Sequence, residues 1–376
     1  MTRIALFLLL ACVAQALPII RITMPVDAGG PWLDTDYDKR ISVTIKSSVV
    51  GSTLTDVPVK IDLDDMPDTF HSSVETDGDD IRASADDHTT ELAVDLERID
   101  TTAKTGTLWV LVPSISSSTD TEIFIYYDAG AAEPPYASPE DVWDATGGDY
   151  IAAWLMNDAA DGPQDSATAV ANIQADNFNT DSGDSVAGVA GNSVIVDGSN
   201  EYYSVPTADA TSYLRPDTSF TASVWFKATD FTDGVIFQGS GSSTNMGYGL
   251  WIWGGQLRPS LGNGGNVWSS LTEPTSGLST GTWYHCAITW DGTNARMYLD
   301  GSEVTDSPQS ETGAWSWASQ PFFIGRRESA GYVAATIDHL TVHDSTFSAD
   351  RIAFEETNQR DTVPNDALTV GSEETQ

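Results

Sequence analysis

From residue 37 onward, apolar and polar positions alternate in short runs. Ile41, Val43 and Ile45 form one such run, and Val57, Val59, Ile61 and Leu63 form a second. Leu92, Val94 and Leu96, then Leu108, Val110 and Val112, then Ile123, Ile125 and Tyr127 continue it. A spacing of two puts one set of side chains on a single face of an extended strand. Gly, Asp, Ser and Pro separate the runs, so residues 37–128 are expected to form an antiparallel β-sandwich. Further on, Trp283, His285, Ala287 and Thr289 alternate with Tyr284, Cys286, Ile288 and Trp290. Asp291-Gly292 supplies turn chemistry, and Ala295, Met297 and Leu299 then alternate with Arg296, Tyr298 and Asp300, which makes a β-hairpin. Phe322 to Ile324 and Ile337 to Val342 predict further strands, and Ser348 to Glu356 predicts a short helix capped by Ser348. Residues 366–371 read as a last strand, with 372–376 expected to fray. Between the two halves, residues 129–149 carry Gly130, Pro134-Pro135, Pro139 and Gly147-Gly148, the composition of a linker.

The hairpin reads Trp283-Tyr-His-Cys-Ala-Ile-Thr-Trp-Asp-Gly292 followed by Arg296-Met-Tyr-Leu-Asp-Gly301. Val196-Asp-Gly-Ser-Asn200, Phe220-Thr-Ala-Ser-Val-Trp-Phe226, Phe323-Ile-Gly325 and Ile337-Asp-His-Leu-Thr-Val342 flank it. In this order the motifs resemble the laminin-G-like branch of the concanavalin A-like jelly rolls, over residues 150–357. Asp38-Lys-Arg40, Asp77-Gly-Asp-Asp-Ile-Arg82, Trp109-Val-Leu-Val-Pro113 and Ile123-Phe-Ile-Tyr-Tyr127 resemble an uncharacterised β-rich module that commonly precedes such domains in secreted and phage-encoded proteins. The expected fold class is therefore all-β, with two β-sandwich domains at 37–128 and 150–357, the second a concanavalin A-like jelly roll. Residues 358–376 complete the chain as a C-terminal strand and tail.

Charge narrows the partners. Among 376 residues, 55 are acidic and 17 basic, a net of −38. Such a surface repels phosphate backbones and anionic lipid, so no nucleic-acid partner is expected. Residues 1–16 carry Arg3, the apolar run Ile4 to Val13 and then Ala14-Gln-Ala16, the layout of a secretory signal. The run is too short for a membrane span. Cleavage after Ala16, lipidation at Cys12 within Leu9-Leu-Ala-Cys12, and retention as an arm are the three alternatives. Residues 17–36, with Pro18, Pro25 and Gly29-Gly30-Pro31, read as an extended arm or linker. Cys12 and Cys286 are the two cysteines, and Cys286 falls among apolar neighbours as an inert buried thiol.

Candidate chemistry is sparse. Sandwiches of this family can host endoglycanases, whose two carboxylates stand about 5–5.5 Å apart in retaining enzymes. No strand from Tyr150 onward carries acids two or four apart on one face, so no catalytic residue is assigned. His339 and His343 are four apart, which on a strand is roughly 13 Å, too far for one ion. With Ile337 and Thr341 they are expected on one face, as surface histidines. Calcium is the cofactor that the resemblance implies, through an Asp after the first Trp and another before the penultimate strand. Asp165 and Asp338 occupy those places, although His339 stands where the family has Glu and Asp165 lacks the following Gly-Asn. Tyr248, Trp251, Trp253, Trp268, Trp315 and Trp317 lie in Gly-, Ser- and Asn-rich segments and are the candidate ligand-binding residues, since a flat indole can stack on a sugar ring. Trp154, Trp225, Trp283 and Trp290 belong to the framework and are expected in the core between the sheets.

The reading is a non-catalytic extracellular or cell-surface adhesion protein, a lectin-like module whose partner is a glycan or a cell-surface protein, with calcium shaping its loops. The rival is a virion-surface component, a phage decoration, fibre or tail protein whose arm anchors it to other subunits of the assembly. A polysaccharide hydrolase is the third reading.

Overall fold

Ile41, Val43 and Ile45 are fully buried along one face of the strand Tyr37–Ile45, as their spacing requires. The computed structural model describes residues 31–129, 139–143, 150–157, 174–176, 185–216, 218–239, 247–262, 271–310, 319–328, 330–360 and 367–376. Tyr37–Ile45 lies between Leu368–Thr375 and Thr121–Ala129 in a five-stranded antiparallel sheet that continues through Arg82–Ala85 to Glu91–Leu92. A second sheet of Leu54–Asp62, Thr105–Ile115 and Val94–Asp100 faces it. Val57, Val59, Ile61, Leu108 and Val110 fill the space between, joined by Phe70 from the helix Asp68–Ser73. Each large apolar side chain buried this way contributes about 1.5–3 kcal/mol.

The last strand of the first module comes from the far end of the chain. Residues 372–376 do not fray: the ladder pairs Lys39 with Thr375, Arg40 with Glu374 and Ile41 with Glu373, then passes an irregularity and resumes from Val43–Val370 to Ile45–Leu368. Electrostatics explains the difference. Arg40 is 1% exposed beneath the Trp32 ring, 4.6 Å from its centroid. Its guanidinium needs a carboxylate there, and Glu374 provides one at 2.8 Å, while Tyr127 Oη donates to Glu373.

The second module consists of two antiparallel sheets. One has nine strands, with Ala334–His343 and Phe220–Ala228 near its middle and the hairpin Tyr284–Trp290 and Asn294–Leu299 beside them. Within the hairpin turn, Asp291 Oδ1 accepts the Thr293 and Asn294 N–H groups at 2.9 and 2.7 Å, and Gly292 takes φ +89°. The other sheet has seven strands in the order Glu273–Pro274, Gln256–Leu261, Tyr248–Ile252, Gly234–Gly239, Phe322–Ile324, Tyr202–Val205 and Gln174–Asp176. Trp154, Phe226, Ile288, Trp290 and Phe322 are among the residues that close the core between them.

Two framework tryptophans depart from expectation. Trp225 is fully buried on the outward face of the nine-stranded sheet, where its Nε1 donates to Gln359 Oε1 at 2.7 Å. Trp283, half-buried, lies beneath the Lys227 ammonium, 4.6 Å from the ring centroid. The helix Ala349–Gln359 starts where its cap predicts, with Ser348 Oγ accepting from Arg351 N at 3.1 Å, and runs three residues past Glu356. The pair Thr357-Asn358 is a poor helix former. Tertiary bonds hold it: Asn358 to Lys60 and Gln359 to Trp225.

Candidate binding face

The two outer faces of the jelly roll have different surroundings. On the nine-stranded sheet, Trp225 pairs with Asp338 and Ser223 with Thr341, so His339 and Leu340 together oppose Val224. This bulge, with His339 at φ +42°, resets the alternation. Ile337, Leu340 and Val342 enter the inter-sheet core, whereas Asp338 and His339 turn toward the first module. Ile337 and His339 therefore do not share a face. His285, His339 and His343 are buried, 1%, 2% and 4% exposed, rather than on the surface, because the first module and the C-terminal helix cover them.

That junction is densely bonded. The His339 ring stacks on Trp109 of the first module, with centroids 4.8 Å apart and planes inclined by 11°. Trp109 Nε1 donates to Glu97 Oε2 at 2.9 Å and Trp143 Nε1 to Asp95 Oδ2 at 2.8 Å. Lys60 Nζ, on a side chain 1% exposed, donates to the carbonyls of Val189 and Gln359 at 2.8 and 3.0 Å and pairs with Asp62 at 3.0 Å. Asn358 covers the edge strand Leu54–Asp62 by bonding both the N–H and the C=O of Lys60, at 2.8 and 3.0 Å. Burial governs the ionisable groups here. It pushes Asp338 up to about 7 even though Val189 and Ala190 donate their N–H groups to its Oδ2, and it raises Glu97 well above the usual carboxylate range. Burial likewise lowers His339 and His285 to about 3, so both rings are neutral.

A calcium ion at Asp338 would have to take the Oδ1 atom, which has no hydrogen-bond partner among the described residues. The ion takes six to eight oxygen ligands. Asp338 Oδ2 is already engaged by two backbone donors, and the charged group that favours its ionised form is the Lys60 cation. Among the described residues no group of three His, Cys, Asp or Glu side chains could hold a metal. Asp165, the other calcium candidate, lies outside the described residues.

The seven-stranded sheet turns its outer face away from this junction. Its register builds two adjacent cross-strand rows. Ser204 pairs with Phe323, Phe323 with Gln238, Gln238 with Gly249 and Gly249 with Ser260, giving a row across five strands. Val235 pairs with Trp251 and Trp251 with Arg258 in the next row. Inward neighbours such as Tyr203, Leu250 and Phe322 belong to the core, so by alternation these rows face outward. Glycine at 249 is a steric requirement, because a Cβ there would stand 2.5 Å from the Phe237 carbonyl and 3.2 Å from Trp251 Nε1. The Trp251 indole thereby lies over the polar row, packed on Val235. Ser260 is 1% exposed, and its Oγ has no hydrogen-bond partner among the described residues.

Arginines and tyrosines cover this floor. Arg326 places its guanidinium 3.4 Å from the Tyr202 ring centroid and 4.7 Å from that of Phe323, and Nη1 donates to Tyr332 Oη at 3.1 Å. Arg327 lies 5.5 Å from the Trp251 centroid, and Arg258 Nη2 donates to Gln256 Oε1. All three arginines are half-buried. Mutually tilted aromatic rings and half-buried forked donors together form a mixed aromatic and cationic surface.

The sequence-predicted ligand residues divide across this geometry. Trp251 points to this side of the sheet but is only 1% exposed, packed on Val235 with Arg327 over it. Trp253, 39% exposed, is not on the strand with it, since Tyr248–Ile252 ends one residue earlier and Trp253 enters the turn with Gly254-Gly255. Tyr248 points inward and is fully buried in the core, with its Oη donating to the Leu214 carbonyl at 3.3 Å, so no ligand reaches it. Trp268, Trp315 and Trp317 lie outside the described residues. Sequence reasoning missed Tyr202, Phe323, Arg326 and Arg327. The available signal was Arg326-Arg327 immediately after Phe323-Ile-Gly325 in a chain so poor in cations.

Residues 197–353 match the family model described as the concanavalin A-like lectin/glucanases superfamily, and residues 77–145 match a domain of unknown function, DUF2341. The second module is thus a laminin-G-like, concanavalin A-like jelly roll, and the chain joins it to that uncharacterised β-rich domain. No curated protein matches the chain. Among solved structures, domain 4 of AbnA, a GH43 extracellular arabinanase from Geobacillus stearothermophilus in complex with arabinotriose, is 16% identical, with 55% of this chain and 97% of that one covered and a TM-score of 0.40. The receptor binding domain of botulinum neurotoxin D is 16% identical, with 59% and 54% covered and a TM-score of 0.44. Trypanosoma rangeli sialidase in complex with sialic acid is 14% identical, with 67% and 42% covered and a TM-score of 0.44. The match spans about half of the neurotoxin domain and less of the sialidase.

Proposed function

We propose that this is a non-catalytic, extracellular surface-recognition protein that binds glycans on the outer face of its seven-stranded sheet. One observation carries the reading: the first module and the helix Ala349–Gln359 occupy one outer face of the jelly roll, while the opposite face combines aromatic rings with the forked donors of Arg326 and Arg327. The acids Glu97, Asp95 and Asp338 sit at the junction between modules, where each accepts a hydrogen bond from an indole or backbone N–H.

The test is a glycan array on the full chain, followed by calorimetric titration of the hits. Wild type is expected to bind a saccharide family at sub-millimolar concentration. Tyr202→Leu removes one ring from the platform and should weaken binding roughly tenfold, the ~1.4 kcal/mol scale of a single aromatic contact. Absence of any saccharide signal at millimolar concentration refutes the reading.

A further inference from the structure

We infer that the saccharide is acidic, and that a sugar carboxylate is the counter-ion for the guanidinium groups of Arg326 and Arg327. This rests on the glycan reading above and adds to it the chemical class of the ligand.

The argument begins with charge pairing. In a chain with 55 acidic and 17 basic residues, a cation finds a carboxylate easily. Arg40, Lys60, Arg82, Arg296, Arg351 and Arg360 all have one within 4.0 Å. Arg98 and Lys227 stand apart without one, whereas Arg258, Arg326 and Arg327, also without one among the described residues, lie together on the same sheet face and are half-buried. Withdrawing a guanidinium from water without an anion is unfavourable. Stacking on Tyr202, Phe323 and Trp251 offsets part of that cost and orients the planar forks.

Hydrogen bonding gives the second observation. Arg326 commits Nη1 to Tyr332 Oη, and its Nη2 has no partner among the described residues. The Arg327 side chain makes no hydrogen bond there. Two adjacent guanidinium groups with donors to spare match a ligand bearing a planar carboxylate. The overall negative charge selects in the same direction, since it repels polyanions that do not reach this cationic spot.

The experiment is a calorimetric titration of the full chain with an oligogalacturonide and with the same oligosaccharide after its carboxyl groups are reduced to alcohols. Sialyllactose against lactose, and a sulfated galactan oligosaccharide, form the other arms. At least one carboxylated member should bind tenfold or more tightly than its neutral counterpart, and the preference should shrink at high salt. Arg326→Gln and Arg327→Gln should each abolish the preference, leaving the carboxylated and neutral forms alike. The ligand pairs test the idea without a mutation, so a variant that misfolds does not obscure the result. Equal binding of carboxylated and neutral forms overturns this inference while leaving the glycan reading intact. A preference for the sulfated ligand over both carboxylated ones also overturns it. If no oligosaccharide and no array glycan binds, the glycan reading falls and this inference with it.

Discussion

Removing residues 368–376 from the C-terminus should unfold the module at the other end of the chain. Leu368–Thr375 is an edge strand of the first module's five-stranded sheet, and deleting it strips a partner from the whole of Tyr37–Ile45. Three losses add. Leu368, 6% exposed, contributes about 2 kcal/mol by burial. Arg40, 1% exposed, loses the Glu374 carboxylate; an uncompensated buried charge costs about 3–5 kcal/mol, here discounted to roughly 2 because the Glu374 side chain is 33% exposed. The severed ladder adds about 1 kcal/mol even after water replaces most of its bonds. The sum, about 5 kcal/mol, rivals the entire stability of an ordinary domain. Differential scanning calorimetry of the truncated chain should therefore show the first module melting separately and earlier, and hydrogen exchange should find Ile41 and Val43 amides unprotected. A Glu374→Gln variant should reproduce part of the shift without shortening the chain. Should the truncated protein melt within about 1 °C of wild type with those amides still protected, the assignment of this strand to the first module is wrong.

Other consequences concern the junction. Lys60→Met leaves the Val189 and Gln359 carbonyls and Asp62 without their shared donor, and should lower stability in urea by roughly 3 kcal/mol; an unchanged midpoint would show that the ammonium does not tie the modules together. Asp338→Asn tests the buried acid. Its folded value near 7 lies above the ordinary 3.8, so the folded state holds the proton longer and stability falls as pH rises from about 4 to 7. The Asn variant lacks that slope and should gain on wild type across this window, by at most on the order of 4 kcal/mol above pH 7. The lowered histidines, His285 and His339, lose stability as pH falls from 6.5 toward 3 in both proteins and cancel in the difference. A flat difference curve between pH 4 and 8 would contradict the burial argument.

Alternating residues announced the all-β class, the hairpin at Asp291-Gly292 and the Ser348 cap, because those features depend on neighbours within a few positions. They also marked Trp251 as a candidate while leaving its orientation open. What lay beyond reach depends on contacts between distant segments. The phase of Ala334–His343 after Ile337 is set by a bulge that turns both Asp338 and His339 outward, so Asp338, read as a calcium ligand, accepts the Val189 and Ala190 N–H groups, and His339, read as a surface residue, stacks on Trp109. Glu373 and Glu374 look like a solvated tail until Arg40 and Tyr127 are placed opposite them. The proposed binding face is of the same kind. Tyr202, Trp251, Phe323 and Arg326 sit on four segments, and only the antiparallel register of the seven-stranded sheet brings them onto one surface. Local periodicity determined which elements form and which side of each is apolar, whereas which outer face of the jelly roll the first module covers was decided by contacts between distant segments.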